Sequence, residues 1–230
     1  MNKVASGIKL YTQAAAHPFT IGFGLFMMIG MTLAFIIDPA PAGSKDYLSM
    51  LGSIQMGNMG TLFMVIIAST KLQQNKFYSS CNCAKELFTV GPLAVVTAVN
   101  ILYNTVLAVS AYVNLGVTGL SDTIIFNTIS SMMIIIAGGC YGKNSVKFIA
   151  VIQLFAYIAF IIFPIAVKHT SLTHILLGQH LTTAVIFAVC GNIIAIAFTL
   201  ALQNIWWKKG DKFAAPSRAI QSALEAQANE

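Results

Sequence analysis

FTIGFGLFMMIGMTLAFII, residues 19–37, holds no charged side chain. As a helix it is long enough to cross roughly 30 Å of hydrocarbon. Working outward, comparable apolar segments recur at 51–70, 88–112, 123–141, 146–167 and 181–207. Lys147, at the edge of the fifth, is the one charged residue inside these limits. The polar connections between the segments sort positive charge. Lys3, Lys9, Lys71, Lys76, Lys85, Lys143, Lys147, Lys208, Lys209, Lys212 and Arg218 fall on one side, and Lys45 and Lys168 on the other. The positive-inside rule therefore places the first set, with both termini, in the cytoplasm. Acidic residues lie on both sides and do not decide the matter. The expected fold class is an all-α polytopic membrane protein with six transmembrane helices. Removing one span would invert the placement of everything after it.

Composition agrees. The chain is 57% hydrophobic and only 9% charged, against about a quarter charged in soluble domains. Lipid must be part of its solvent, and a multi-pass position in a cell membrane is expected. The net charge of +6 is explained by basic loops facing anionic headgroups, so no nucleic-acid partner is expected. MNKVASGIKLYTQAAAH, residues 1–17, does not read as a cleavable leader. Cys81 and Cys83 fall in a cytoplasmic connection, and Cys140 and Cys190 at or within spans. That placement offers no disulfide framework. Two thiolates alone leave a tetrahedral metal site incomplete.

The connections have their own patterns. In residues 1–18, Val4, Ile8 and Tyr11 recur at helical spacing while Lys3 and Lys9 reach headgroups, which predicts an interfacial amphipathic helix ended by Pro18. The span-bearing unit is 19–207, followed by a cytoplasmic tail, 208–230. The largest inner connection, 71–90, contains two short helical pieces around 71–78 and 82–89, with Ser79 or Ser80 capping the second and Glu86 on its solvent side. Gly91-Pro92 predicts a break before the main body of span three. The outer connections are short: 38–47, about 114–122, and 168–180, where SLTHILLG suits a short interfacial helix. After span six, Trp206 and Trp207 form an aromatic belt and KKGDK a charged anchor.

Intramembrane content bears on function. Ionisable groups are retained in a bilayer where function needs them, and the spans here are almost free of them. That argues against proton-coupled carriers, pumps and metal-dependent intramembrane enzymes, and no catalytic residue or metal site is expected. His17, His169, His174 and His180 lie outside the spans and read as polar interfacial residues. The spans do carry amides: Asn58, Asn100, Asn104, Asn127, Gln153 and Asn192. Such groups hydrogen-bond between helices or line a polar track. Asn100 and Asn104 share one helix face. Glycines in spans one, two and four permit close helix approach. Met27 and Met28 belong to a soft, adaptable stretch that suits an irregular apolar cargo or ordinary packing. No GxxxxGK[ST] loop is present to hold nucleotide phosphates.

Taken together, the segment 2–17 before span one, NKFYSSCNCAKELFTVGP between spans two and three, SLTHILLGQH between spans five and six, and the terminal IWWKKGDK resemble the membrane subunit of an ABC-2-type (type V) exporter. The resemblance is one of architecture, because these permeases have no invariant catalytic motif. It implies two membrane subunits, here a homodimer, with two cytoplasmic ABC ATPase subunits that carry the ATP and Mg; this chain itself would hold no cofactor. Carried onto this chain, Phe77, Tyr78, Lys85, Glu86 and Phe88 would contact the ATPase, with Lys143 in a smaller second contact. The path between the two sets of spans would involve Met27, Met28, Asn58, Asn100, Asn104 and Asn127. The implied cargo is hydrophobic or amphipathic, a peptide by preference. An ion or small-solute channel, or a non-transporting scaffold, is the alternative reading. A multispan enzyme is third.

Overall fold

The computed structural model describes residues 2–37, 39–41, 44, 46–74, 76–141, 154, 158 and 176–208. The expected fifth span apart from Leu154 and Ile158, Lys143, Gln153, most of the 168–180 connection and the tail beyond Lys208 lie outside the described residues. Among the described residues every regular element is a helix. In chain order these are α1 (Lys3–Ala15), α2 (Pro18–Ile37), α3 (Tyr47–Gln55), α4 (Asn58–Gln74), α5 (Lys76–Ser80), α6 (Ala84–Phe88), α7 (Val90–Cys140) and α8 (Leu181–Lys208). Four helical stretches are long and apolar enough to cross a membrane: Pro18–Ile37, Tyr47–Gln74, Ala84–Cys140 and Leu181–Ile205. Their outward faces are apolar. Phe26 is 72% exposed, Val113 73% and Ile194 61%, a surface that suits hydrocarbon and not water.

α7 is two limbs. At Gly116 the backbone takes φ 70° and ψ −161°, a region open essentially to glycine alone. The chain reverses there, and 117–140 runs back along 90–115. Each limb is roughly 35–40 Å long at 1.5 Å per residue. The expected ten-residue outer loop around 114–122 is therefore a tight turn between helices. Its polar residues look like a loop in sequence, yet Ser121 and Asp122 are buried in the returning helix.

The second expected span is also broken. α3 ends at Gln55 and α4 begins at Asn58. Between them the hydrogen bonds tighten to the 3₁₀ pattern: Met56 N donates to Ser53 O and Gly57 N to Ile54 O, both at 3.0 Å. Tyr103 Oη donates to Ile54 O at 3.1 Å. A Cβ at Gly57 would overlap that phenol, so glycine is required for the approach.

α1 forms where expected, started by Asn2, whose Oδ1 accepts from Val4 N at 3.1 Å. Its Tyr11 face turns into protein instead of lipid: Tyr11 is 0% and Ala15 3% exposed. A Cβ on Gly7 would sit 2.8 Å from the Glu86 and Leu87 backbone, so α1 and α6 touch main chain to main chain. Pro18 starts α2, where its missing N–H costs nothing. Neither Ser79 nor Ser80 caps α6; Cys83 stands at that position without a side-chain capping bond. Gly91 and Pro92 fall in the first turn of α7, whose N–H groups have no intrahelical acceptor, and the break comes at Thr89 (φ −117°, ψ −74°).

Packing forms two apolar cores. One, at the α1 end, unites Tyr11, Leu62, Val65, Leu87, Phe88, Val96 and Ile134. The other, toward the Gly116 end, unites Phe35, Tyr47, Leu51, Ile54, Tyr103, Leu107 and Phe126. α2 and α4 cross closely where a Cβ at Gly60 would lie 2.7 Å from Gly24 O, the small-residue approach expected of the glycines in spans one and two.

Candidate functional site

Between the two cores lies a polar layer. It begins at Gln55, the last residue of α3, and Asn58, the first of α4, between Ile54 of one core and Leu62 of the other. On the 90–115 limb it is Asn100, between Val96 and Tyr103. On the returning limb it runs from Asn127 to Ser131, between Phe126 and Ile134.

Four of its amides form a directional chain. Asn58 Nδ2 donates to Asn127 Oδ1 at 2.7 Å. Asn127 Nδ2 donates to Asn104 Oδ1, and Asn104 Nδ2 to Asn100 Oδ1 at 2.6 Å. Asn100 Nδ2 ends the run on Ser131 O at 3.4 Å. Ser131 Oγ then donates to Asn192 Oδ1 at 2.8 Å, joining α8. Gln55 Nε2 donates to Phe126 O at 3.0 Å. Each link spans two elements or, for Asn100 and Asn104, one helical turn.

The layer retains unused capacity. Gln55 Oε1, Asn58 Oδ1, Thr61 Oγ1, Thr123 Oγ1 and Ser130 Oγ are buried without a hydrogen-bond partner. Buried polar atoms in this state are costly. Gln55, Asn58 and Thr61 follow one another at three-residue spacing through the end of α3 and the start of α4, and Thr123 and Ser130 lie on the returning limb. Neutral amides and hydroxyls of this kind bind through hydrogen bonds without introducing charge.

The layer borders a cavity of about 510 Å³ between the two α7 limbs and α8. Asn104, Asn127, Thr128 and Asn192 supply its polar wall, and Ile101, Val109, Val189 and Ile193 its apolar one. That size and lining match a small-molecule or side-chain pocket. A second cavity, about 370 Å³ and almost wholly apolar, lies between α2, α4 and the 90–115 limb. Met28, Thr32, Met64 and Tyr103 are among its lining residues.

The six expected path residues thus separate. Asn104 and Asn127 reach the larger cavity. Asn58 and Asn100 are 0% exposed and support the others from behind, so they offer no surface to a cargo. Met28 lines the second cavity, while Met27 packs near Gly60 at the α2–α4 crossing.

Of the residues expected to meet an ATPase, Phe77, Tyr78, Lys85, Glu86 and Phe88 lie at the α1 end. Phe77 is 69% exposed and stacks edge-to-face on Tyr78 with centroids 5.7 Å apart. Lys85 is exposed and Glu86 half-buried. Phe88 is 1% exposed in the core, so it anchors α6 and presents nothing to a partner. Behind this surface Tyr11 Oη donates to Val65 O at 3.0 Å and pairs with Ser69 Oγ at 2.6 Å. Burial pushes the Tyr11 phenol well above its ordinary range, keeping it a neutral donor.

Three functional-looking groups had no sequence signal. Asp122, 2% exposed, accepts from Tyr47 Oη at 3.0 Å and from Gly178 N at 2.8 Å, which ties the chain just before α8 to the Gly116 end. Gln203 donates to Thr89 O and Gly139 O, joining α8 to both ends of α7. Ser131 joins α8 to the amide chain. All three act across elements far apart in sequence. Comparison with known proteins gave no match, whether with family models, curated proteins or solved structures.

Proposed function

We propose that this chain is the membrane subunit of an ATP-driven exporter in the ABC-2 arrangement, with six spans, both ends in the cytoplasm and a second copy completing the path. The observation that carries the reading is the joint at the α1 end. α5 and α6 hold the exposed Phe77 and Lys85. α6 meets α1 at Gly7, and α1 is locked through Tyr11 to Val65 and Ser69 of α4. α4 in turn begins at Asn58, the head of the amide chain. A partner pressing on α5 and α6 would therefore act on the helix that borders the polar layer. The basic charge on these connections supports a cytoplasmic position for that surface.

The cargo in this reading is amphipathic, a peptide by preference. Its polar groups would meet Asn104, Asn127 and Asn192, and its apolar groups the aliphatic wall of the same cavity. Among the described residues no charged side chain lines that cavity, so none there would oppose entry of a neutral or apolar group.

The test is co-reconstitution with the nucleotide-hydrolysing subunit that binds the chain. Phe77→Ala with Tyr78→Ala should weaken that binding by about tenfold or more, as truncation of aromatic anchors does, while helicity stays constant. Unchanged binding and unchanged coupled hydrolysis would remove this surface from the mechanism.

A further inference from the structure

The turn between α5 and α6 brings Cys81 Sγ and Cys83 Sγ to 3.5 Å. Both cysteines are free thiols and only half-buried. The turn is held by backbone: Ala84 N donates to Cys81 O at 3.0 Å and Leu87 N to Cys83 O at 2.8 Å. Cys81 Sγ also donates to Tyr78 O at 3.2 Å, which holds that side chain in place and leaves its sulfur lone pairs open to its neighbour. The two thiols are thus paired before any ligand arrives, on a surface from which they can be reached.

We propose that Cys81 and Cys83 form a two-coordinate site for a soft monovalent metal ion of the copper(I) class. Softness and ligand count select the ion. Thiolates favour soft metals. Zinc needs four ligands in a structural site, and no group of three His, Cys, Asp or Glu side chains able to hold a metal occurs among the described residues. A closed-shell monovalent ion is satisfied by two thiolates alone. The binding step balances without a redox partner: two S–H bonds release two protons, two S–metal bonds form, and the ion enters and remains in the monovalent state. A disulfide, by contrast, would require the sulfurs to close from 3.5 Å to about 2.05 Å and a two-electron oxidant to accept their electrons. The ion would staple the α5–α6 turn beside Phe77 and Tyr78, whether or not that surface meets an ATPase.

The experiment uses the full chain in detergent, reduced and free of oxygen, with copper(I) as the probe in competition with a chromogenic copper(I) chelator. The background is Cys140→Ser with Cys190→Ser, which leaves only the paired thiols. Uptake of one copper(I) per chain with a thiolate-to-copper absorption band is expected. Cys81→Ser or Cys83→Ser should abolish uptake at that chelator strength. Maleimide treatment of the folded background protein should abolish it too, which tests the site without relying on either substituted chain to fold. The proposal is overturned if the background protein fails to compete, if uptake survives loss or alkylation of the thiols, or if zinc binds as tightly as copper(I). Recovery of a Cys81–Cys83 disulfide that persists under mild reductant, with no copper uptake by the reduced chain, would overturn it in favour of a redox pair.

Discussion

Asn127 is a middle link of the amide chain, accepting from Asn58 and donating to Asn104. Asn127→Ala would strand the Asn58 donor and the Asn104 acceptor together. The expected cost is about 1–3 kcal/mol, the range for buried groups left unpaired. Asn192→Ala, which breaks one part-buried bond from Ser131 Oγ, should cost nearer about 0.6 kcal/mol, the average for such bonds in membranes. Chemical denaturation in detergent, followed by circular dichroism, distinguishes the two. Equal, negligible losses would mean that the amides do not act as a chain. The sequence shows each of these asparagines as a polar residue in an apolar segment, and it places Asn100 and Asn104 on one face. It does not show that Asn127 meets both Asn58 and Asn104, because those contacts depend on how three helical stretches pack. Gln55 and Ser131 were illegible for the same reason.

Elements reveal a different limit. Apolar length made α2, α8 and the two limbs of α7 readable, and helical spacing with an Asn cap made α1 readable. The α3–α4 break was hidden because no proline marks it and the apolar character continues through Met56. The reversal between 114 and 122 was readable, but the tightness of the Gly116 turn was hidden, because Asn114, Thr118, Ser121 and Asp122 have the composition of a longer loop. Gly116→Ala should destabilise the fold by about 1–3 kcal/mol, the cost of holding a non-glycine residue at such a backbone geometry. Its surroundings are open, so the loss would report conformation and not a clash. Gly30→Ala is the matched comparison: it sits in α2 with nothing near its Cβ, and helix propensity favours alanine by up to about 1 kcal/mol. Thermal unfolding of both variants in one detergent tests the assignment, and a neutral Gly116→Ala would contradict the turn. At the α1–α6 joint, Gly7→Leu must displace main chain at Glu86 and Leu87. It should separate α1 from α6 and increase labelling of Cys83 by maleimide. Unchanged labelling would mean that the joint yields without opening.

At the scale of the molecule, charge and apolar length placed the chain in a membrane, and no sequence feature identified a cargo. The eleven-to-two division of Lys and Arg predicts that membrane-impermeant thiol reagents reach a cysteine placed at Val117 from outside intact cells. A cysteine placed at Lys76 should react only after the membrane is opened. Reaction at both positions from outside would overturn the topology. Beyond topology, the two cores with a polar layer between them, and the joint linking that layer to the exposed α5–α6 surface, make one mechanical unit of the described helices. The most direct test of the exporter account is ATP-driven uptake of an amphipathic peptide into inverted membrane vesicles carrying the chain and its ATPase. The account predicts uptake that requires ATP and this chain, and that falls when Phe77 and Tyr78 are replaced by alanine. Ion conductance from the chain alone, with no ATP-dependent movement of peptide, would contradict it and favour a channel.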